Sequence, residues 1–225
     1  MKKKILLLSI LFFVSCFILS AQAVTSDLYL SIIGGQKWIS GKVDDMDYQT
    51  KWQPFGLQES CDFFIKDFFI GIHQELGFSS TTNTKDFKKI GTYKFAGGKI
   101  DGSYSNVDFS WFANIGPVFS FKPVNRLVLN ITPMIGNDWG TFFTSRLSKY
   151  EDDFFNQLVL SLDMSARVRF NRFIIVGGVK ASYAPLMVAT TKSSEVAISD
   201  MNVKVDSNFT IQGHIGAGIE IGKRR

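Results

Sequence analysis

Residues 204–222, near the end of the chain, constrain the fold most because their side chains alternate in polarity. Apolar residues occupy most odd positions from Phe209 to Ile221, and polar residues or glycines occupy the even positions between them. Successive side chains of a β-strand point to opposite faces of its sheet. The segment is therefore predicted to be a strand with one apolar face and one polar face. Both soluble sheets and membrane-spanning sheets contain such strands.

The beginning of the chain predicts export. Three lysines at positions 2–4 precede an apolar run from Ile5 to Leu19, and Ser20-Ala21-Gln22-Ala23 ends in the small-x-small pattern of a cleavage site. The run is short for a membrane anchor, which needs about 20 apolar residues. We therefore predict that residues 1–23 are a signal peptide for Sec-type export, cleaved after Ala23, and that residues 24–225 form one domain. Lipidation of Cys16 is the alternative form of processing.

The composition of the exported part narrows the class of protein. Three of the lysines that contribute to the net charge of +5 lie in the predicted signal peptide. Because cleavage would remove them, the exported part is less basic than the whole chain, and a nucleic-acid partner is not indicated. Cys61 is the one cysteine after residue 23, which excludes a disulfide framework and a cysteine metal cluster. No later segment approaches about 18 consecutive apolar residues, so a helical membrane protein is also excluded. An exported soluble protein and an outer-membrane barrel remain.

Eight segments of the chain alternate with period two, and their connections alternate in length. The segments are 27–39, 52–64, 68–79, 103–121, 127–143, 158–170, 173–190 and 204–222. The tight connections are 65–67, 122–126 and 171–172, and the long ones are 41–51, 80–102, 144–153 and 191–203. In an up-and-down meander, all tight turns then lie at one end and all long loops at the other. Short periplasmic turns opposite long extracellular loops are typical of outer-membrane barrels.

Large aromatic residues are grouped at the two ends of the predicted strands. Phenylalanines flank the tight turns and the four tryptophans lie towards the long loops; the belt residues chosen from them are Phe68, Phe121, Phe170, Phe173, Trp38, Trp52, Trp111 and Trp139. Aromatic rings favour the two boundaries between water and lipid. We predict two interface belts, with a soluble sandwich core as the alternative.

The polar faces of the strands carry charged residues and both histidines. The set is Lys37, His73, Glu75, Asp163, Arg167, Arg169, Lys180, His214 and Glu220. An eight-stranded barrel has an interior that side chains just fill. We predict that this set lines the lumen as a network of ion pairs. Glu59 or Asp62 adds a further acid, depending on the register of the second strand.

These features together resemble the small outer-membrane β-barrels, namely the OmpA transmembrane domain, OmpX and OmpW. The resemblance implies an all-β, eight-stranded, up-and-down antiparallel transmembrane barrel in a bacterial outer membrane. It further implies a monomer that contacts outer-membrane lipid, is inserted by the barrel-insertion machinery and binds any surface ligand through the four long loops. The chain departs from this class at its end, where basic residues follow Ile221 in place of the usual terminal aromatic residue.

Few residues in the sequence indicate catalysis. His73 and His214 each stand alone on an alternating strand, and no serine is placed with either histidine as in barrels that modify lipid A. We therefore predict no enzyme activity, no metal and no cofactor. The predicted function is a structural or surface-interaction role with at most passage of small solutes. A soluble, lipocalin-like barrel that binds an apolar ligand is the alternative.

Overall fold

The computed structural model describes residues 24–43, 46–65, 68–83, 93–95, 98–100, 106–144, 153–190 and 203–222. The predicted signal peptide lies outside these ranges. Within them the chain forms β1 (Val24–Val43), β2 (Met46–Ile65), β3 (Ile70–Asn83), β4 (Tyr93–Phe95), β5 (Gly98–Ile100), β6 (Asn106–Val124), β7 (Leu127–Thr144), β8 (Asp153–Phe170), β9 (Phe173–Thr190) and β10 (Val203–Ile221). No helix in the described part of the chain is long and apolar enough to cross a membrane.

Eight of these strands form a closed antiparallel barrel. They pair in the order β1-β2-β3-β6-β7-β8-β9-β10, and β10 closes the barrel on β1. The short strands β4 and β5 pair separately with each other, within the predicted loop 80–102. The predicted fold, an eight-stranded up-and-down antiparallel barrel, is confirmed.

The strands are staggered around the barrel. A path across paired residues starts at Leu28 and returns to β1 at Trp38. It passes through Cys61, Gln74, Ile115, Ile135, Leu160, Tyr183 and Phe209. Such a stagger is what closure requires when the strands tilt by about 35–45° from the barrel axis.

The two faces of the barrel wall have opposite chemistry. On β8 the lumen side carries buried Asp163, Arg167 and Arg169, while Leu162 and Met164 on the outer side are 43% and 56% exposed. A lipocalin-like barrel would place its apolar side chains inward, so this alternative is not favoured. An apolar outer wall around a polar interior is the arrangement of a transmembrane barrel.

The prediction of a long loop at residues 41–51 is wrong. The strands β1 and β2 continue to pair from Gly41↔Tyr48 to Val43↔Met46, which leaves only residues 44–45 between them. A strand needs about 9–11 residues to cross a bilayer. Beyond that length its hydrogen bonds can continue without an apolar face, so the change of composition at position 41 marks the end of the apolar wall and not the end of the strand.

The other three long connections differ less from the prediction where the structure describes them. β3 extends to Asn83 and β7 to Thr144, into the predicted loops, whereas β9 ends at Thr190 as predicted and β6 begins later than predicted, at Asn106. The central parts of 80–102, 144–153 and 191–203 lie outside the described residues, apart from β4 and β5.

The tight turns lie at the opposite end of the barrel. The Phe68 amide donates to the Ile65 carbonyl at 3.0 Å, and Asn171 adopts a positive φ of 58° in the turn after β8. The predicted turn 122–126 is tighter than expected, because β6 continues to Val124 with a register shift after Phe121. The shift accommodates Pro123, which has no amide hydrogen for a regular ladder.

Pro117 and Pro133 interrupt the pairing of β6 with β7. The pairs Ile115↔Ile135 and Phe119↔Ile131 on either side keep the same offset, so the register does not shift at this point. Each proline remains in register with its other neighbour, Ile72 or Leu162. The missing amide hydrogens therefore cost local hydrogen bonds without moving either strand.

Gly178 on β9 provides a test of how tightly the lumen is packed. An alanine Cβ at this position would contact His214 Nε2 closely and lie 2.7 Å from the Met164 carbonyl oxygen. Overpacking of this kind costs about 1–3 kcal/mol. We expect Gly178→Ala to lower the urea midpoint of the folded protein in detergent. Gly177→Ala is the matched control, since its Cβ would meet nothing nearer than 3.8 Å. Equal midpoints for the two variants would contradict a filled lumen.

Candidate functional site

Arg167 lies at the centre of the lumen and is 1% exposed. Its Nη1 donates to Asp27 Oδ2 at 3.0 Å, and its Nη2 forms an ion pair with Asp62. The alternation of β8 directs Arg167 inward, and the register of β1 and β2 places Asp27 and Asp62 on directly paired positions. One cation therefore connects β8 with both strands on the far side of the barrel.

Neutral groups complete the surroundings of the Arg167 guanidinium. Tyr29 accepts a hydrogen bond from Nη2 at 3.0 Å, and the guanidinium carbon lies 4.7 Å from the Tyr29 ring centroid. With its amide oxygen turned to Arg167, buried Asn130 accepts from Nε at 3.0 Å and donates to Ser120 Oγ at 3.0 Å. A buried charge is tolerable when it is paired and hydrogen-bonded, and Arg167 meets both conditions.

Lys180 forms a second crossing of the lumen. Its Nζ donates to Glu75 Oε1 at 2.7 Å and to Gln58 Oε1 at 2.9 Å, and it lies 4.6 Å from the centroid of the Phe112 ring. Asn114 donates to Glu75 Oε1 at 2.5 Å. This group therefore joins β9 to β2, β3 and β6.

The two histidines belong to different pairs. His73 Nδ1 contacts Asp62, and its Nε2 lies 3.5 Å from Glu75 Oε2, so this ring links the Arg167 and Lys180 groups. His214 Nε2 lies 2.8 Å from Asp163 Oδ1. Both imidazoles are buried in the lumen, at 2% and 7% exposure. Neither ring faces the outer surface, where a lipid substrate would lie.

Arg169 and Glu220 lie nearest the tight-turn end. Arg169 Nη2 forms an ion pair with Asp27, and its Nε is 3.7 Å from Glu220 Oε2. Glu220 is only partly buried. The pair marks the lower rim of the network.

The upper lumen is more open and mostly neutral. Lys37 Nζ is 4.0 Å from Asp138 Oδ2, which accepts from Gln157 Nε2 at 2.6 Å, and Asn208 donates to Gln157 Oε1 at 2.6 Å. These residues line a cavity of about 50 Å³. A water needs about 10–15 Å³ by this measure, so the cavity has room for a few waters.

The predicted lumen set left out several residues that the structure places in the network: Asp27, Tyr29, Gln58, Asn114, Asn130 and Asp138. The alternation of side chains along each strand could have identified them, since Asp27, Tyr29 and Ser31 lie on the same face of β1. For the second strand, the structure places Asp62 inward and Glu59 outward.

The predicted belt residues whose side chains the structure describes lie on the outer wall. Four phenylalanines near the tight turns are about half exposed or more: Phe68, Phe121, Phe170 and Phe173. At the other end, Trp38 stacks on Phe209 with ring centroids 6.1 Å apart, and Trp111 is the cross-strand partner of Trp139. The side chain of Trp52 lies outside the described residues.

The ion pairs that Arg167, Arg169 and Lys180 form with Asp27, Asp62 and Glu75 run across the barrel. Asp27, Asp62 and Glu75 come from β1 to β3, whereas Arg167, Arg169 and Lys180 come from β8 and β9. No group of three or more His, Cys, Asp or Glu side chains in the described ranges is arranged to hold a metal ion. The site can therefore bridge and fill the lumen, and among the residues that the structure describes its geometry shows no nucleophile paired with a base.

A scan of protein-family models and a search of curated proteins give no match to this chain. Solved structures do match. A major outer membrane protein from Thermus thermophilus is 13% identical with a TM-score of 0.53, over 86% of this chain and 99% of that chain. OprG from Pseudomonas aeruginosa is 11% identical with a TM-score of 0.49, over 88% and 97%. Ail from Yersinia pestis is 12% identical with a TM-score of 0.46, over 88% and 99%.

At these identities the likeness concerns the fold, and the Thermus structure carries it. The closed strand order, the polar lumen and the apolar outer wall agree with that likeness. The chain therefore has the fold of the small outer-membrane β-barrels.

Proposed function

We propose that the chain is a non-enzymatic outer-membrane barrel, exported to a bacterial cell surface, with a structural or surface-interaction role. The observation that carries this proposal is the filled lower lumen, where Arg167 bridges Asp27 and Asp62 from the opposite wall. Lys180 and Glu75 are joined above it, and on this proposal the side chains leave no wide water-filled path. At most, small solutes pass through the lumen when these side chains move.

The outer wall supports the membrane location. Large apolar side chains are exposed around the whole barrel, for example Leu30, Ile115 and Ile215 at 57%, 52% and 65%. In water so large an apolar surface would cause association. In a bilayer it contacts lipid, while closure leaves no strand edge with a row of unpaired backbone groups.

The strand lengths support a role at the surface. β1 and β2 have 20 residues each, about twice the 9–11 that cross a bilayer. Their paired ends at Val43 and Met46 therefore extend beyond the membrane on the side of the predicted loops 80–102, 144–153 and 191–203. We propose that this end presents any surface ligand site.

The side chains that fill the lumen are called the plug here. Planar-bilayer recordings on the purified protein test whether this plug blocks the barrel. We expect no large, steady currents from the unaltered chain, because the charged side chains fill the barrel interior. Fractionation of the native cell envelope is the companion measurement and should place the chain with the outer membrane. Porin-like currents would contradict the plug, and recovery in a soluble fraction would contradict the membrane location.

Orientation gives a separate prediction. An epitope tag inserted at Asn83 should be labelled on intact cells, and a tag in the turn 171–172 should be labelled only after permeabilisation. The reason is that short turns face the periplasm in barrels of this kind. A tag at Ser194 provides a second surface position. Labelling of the turn but not of Asn83 would reverse the proposed orientation.

A further inference from the structure

The outer wall has a step at the tight-turn end, where β9 begins beside β10. The pairing of these two strands ends at Phe173↔Ile219, whereas β10 continues to Ile221, which pairs with Ser26 on β1. A groove of about 440 Å³ occupies the step. Its lining comes from the turn after β8 and from the end of β10: Arg172, Phe173, Ile219, Glu220, Ile221 and Gly222.

The groove has an apolar side and a cationic edge. Phe173 and Ile219 point outward, and their side chains are 68% and 43% exposed. Arg172 is exposed in the turn, and its backbone carbonyl accepts a hydrogen bond from the Glu220 amide at 2.8 Å, which ties the turn to β10. Within the described ranges, the Arg172 guanidinium is in no ion pair or side-chain hydrogen bond. It is therefore available to a ligand.

The rim around the groove carries more exposed base than acid. Lys122 at the end of β6 and Arg126 in the turn after it are both exposed. The Arg126 carbonyl accepts from the Arg169 amide at 2.9 Å, so this turn adjoins the one that holds Arg172. Glu220, the acid in the groove lining, is partly buried, and its Oε2 lies 3.7 Å from Arg169 Nε. A surface with this balance of charge attracts anions.

We propose that the groove binds one anionic phospholipid, with its phosphate at Arg172 and an acyl chain along Phe173 and Ile219. A guanidinium matches the geometry of a phosphate group, to which it can donate two hydrogen bonds. Phe173 belongs to the belt of aromatic residues that marks a boundary between water and lipid. The apolar lining is therefore at the depth of acyl chains, and Arg172 is at the depth of headgroups.

This site deepens the proposed function and rests on its membrane location. The end of the chain itself is a poor occupant, because residues 223–225, which lie outside the described part of the chain, are all basic and would be repelled by Arg172. A zwitterionic phospholipid also has a phosphate, but its ammonium group weakens the attraction of the basic rim. An anionic headgroup is therefore the better match.

Native mass spectrometry tests the site on the full chain, expressed in cells and extracted from the envelope with detergent. Phosphatidylglycerol or phosphatidylcholine with the same acyl chains is added, and we expect one phosphatidylglycerol to be retained at the lower lipid concentration. Arg172→Gln should weaken phosphatidylglycerol binding about fivefold, as loss of one basic residue at a lipid surface would. The variant should fold, because the side chain is exposed and the backbone bond to Glu220 remains.

Two matched controls separate the groove from the rest of the rim. Arg126→Gln removes the same charge from the neighbouring turn and should weaken binding less than about twofold, because its charge lies outside the groove and is screened. Phe173→Ser should weaken the binding of both lipids, since each has an acyl chain. Phe121→Ser, at a belt residue that is 50% exposed on β6, should weaken neither. An excess of glycerol phosphate should not displace the bound lipid.

Equal affinity for the two lipids, or equal losses in Arg126→Gln and Arg172→Gln, would overturn the site and leave the membrane location intact. Displacement by glycerol phosphate would also overturn it, because the headgroup would then bind without the acyl chain. Recovery of the chain outside the cell envelope would count against both the site and the proposed function.

Discussion

Replacing Arg167 by alanine is expected to lower the free energy of unfolding by about 3–5 kcal/mol, the usual cost of breaking a buried ion pair. The change leaves the Asp27 and Asp62 carboxylates buried without their shared cation, and it removes the donor to Tyr29. Urea unfolding in detergent, followed by tryptophan fluorescence, measures the loss. The barrel has tryptophans on its outer wall that report on the surrounding medium.

Arg126→Ala is the matched control for Arg167→Ala. Arg126 is exposed in the turn after β6, and its backbone carbonyl keeps its bond to the Arg169 amide in the variant. A surface change of this kind is expected to stay within about 0.5 kcal/mol. Arg167→Ala should also open brief, small conductance steps in planar bilayers. A variant as stable as the control would show that Arg167 does not hold the lumen together.

The second large effect is expected at the Glu75–Lys180 pair. Glu75→Leu should cost about 3–5 kcal/mol, because it leaves the Lys180 ammonium with Gln58 as its hydrogen-bond acceptor. Lys180→Met should cost less, because Glu75 keeps the hydrogen bond from Asn114 and its contact with His73. The double variant should cost less than the two single changes together.

A double-mutant cycle measures this coupling by urea unfolding. Residues in contact show interaction energies of about 0.5–3 kcal/mol. The control cycle combines Lys180→Met with Glu220→Gln at the lower rim, where Glu220 contacts Arg169. Its effects should add within about 0.5 kcal/mol. Coupling of equal size in both cycles would mean that the variants disturb the whole lumen and not one pair.

The sequence was sufficient to predict the number and order of the eight barrel strands, although not the short pair β4 and β5. A wall that faces lipid must be apolar at every second position, so period-two alternation marks each crossing. The second strand was the least regular in the sequence, and the structure explains why. Its outer face includes Glu59 and Cys61 among Phe55, Leu57 and Phe63, which breaks the pattern.

The lengths of the connections were less predictable, for a physical reason. Strands that extend beyond a bilayer keep their backbone ladder, but their side chains no longer need an apolar face. Composition therefore changed at Gly41 while pairing continued to Val43. The pattern of polar and apolar residues therefore indicates which part of a strand faces lipid, but it does not indicate where the strand ends.

The members of the lumen network were easier to predict than their partners. The alternation of side chains along β8 and β9 places Arg167 and Lys180 inside the barrel. Alternation alone does not tell which acidic residue each of them contacts. Arg167 and Asp27 are 140 residues apart in the chain. Their contact depends on the full set of registers around the barrel, and Asp27 itself escaped notice because it lies near the beginning of its strand.

The ion pairs that cross the lumen have a consequence for assembly. Before β10 pairs with β1, the strands form an open sheet. The acids of these pairs, Asp27, Asp62 and Glu75, lie on its early strands, and their bases, Arg167, Arg169 and Lys180, lie on its later strands. As the sheet curls, long-range attraction between these ends draws them together. The distant contacts form only when the barrel closes, and such contacts fold slowly. Charge neutralisation and closure therefore coincide, and raised salt should slow the final step of insertion by screening that attraction.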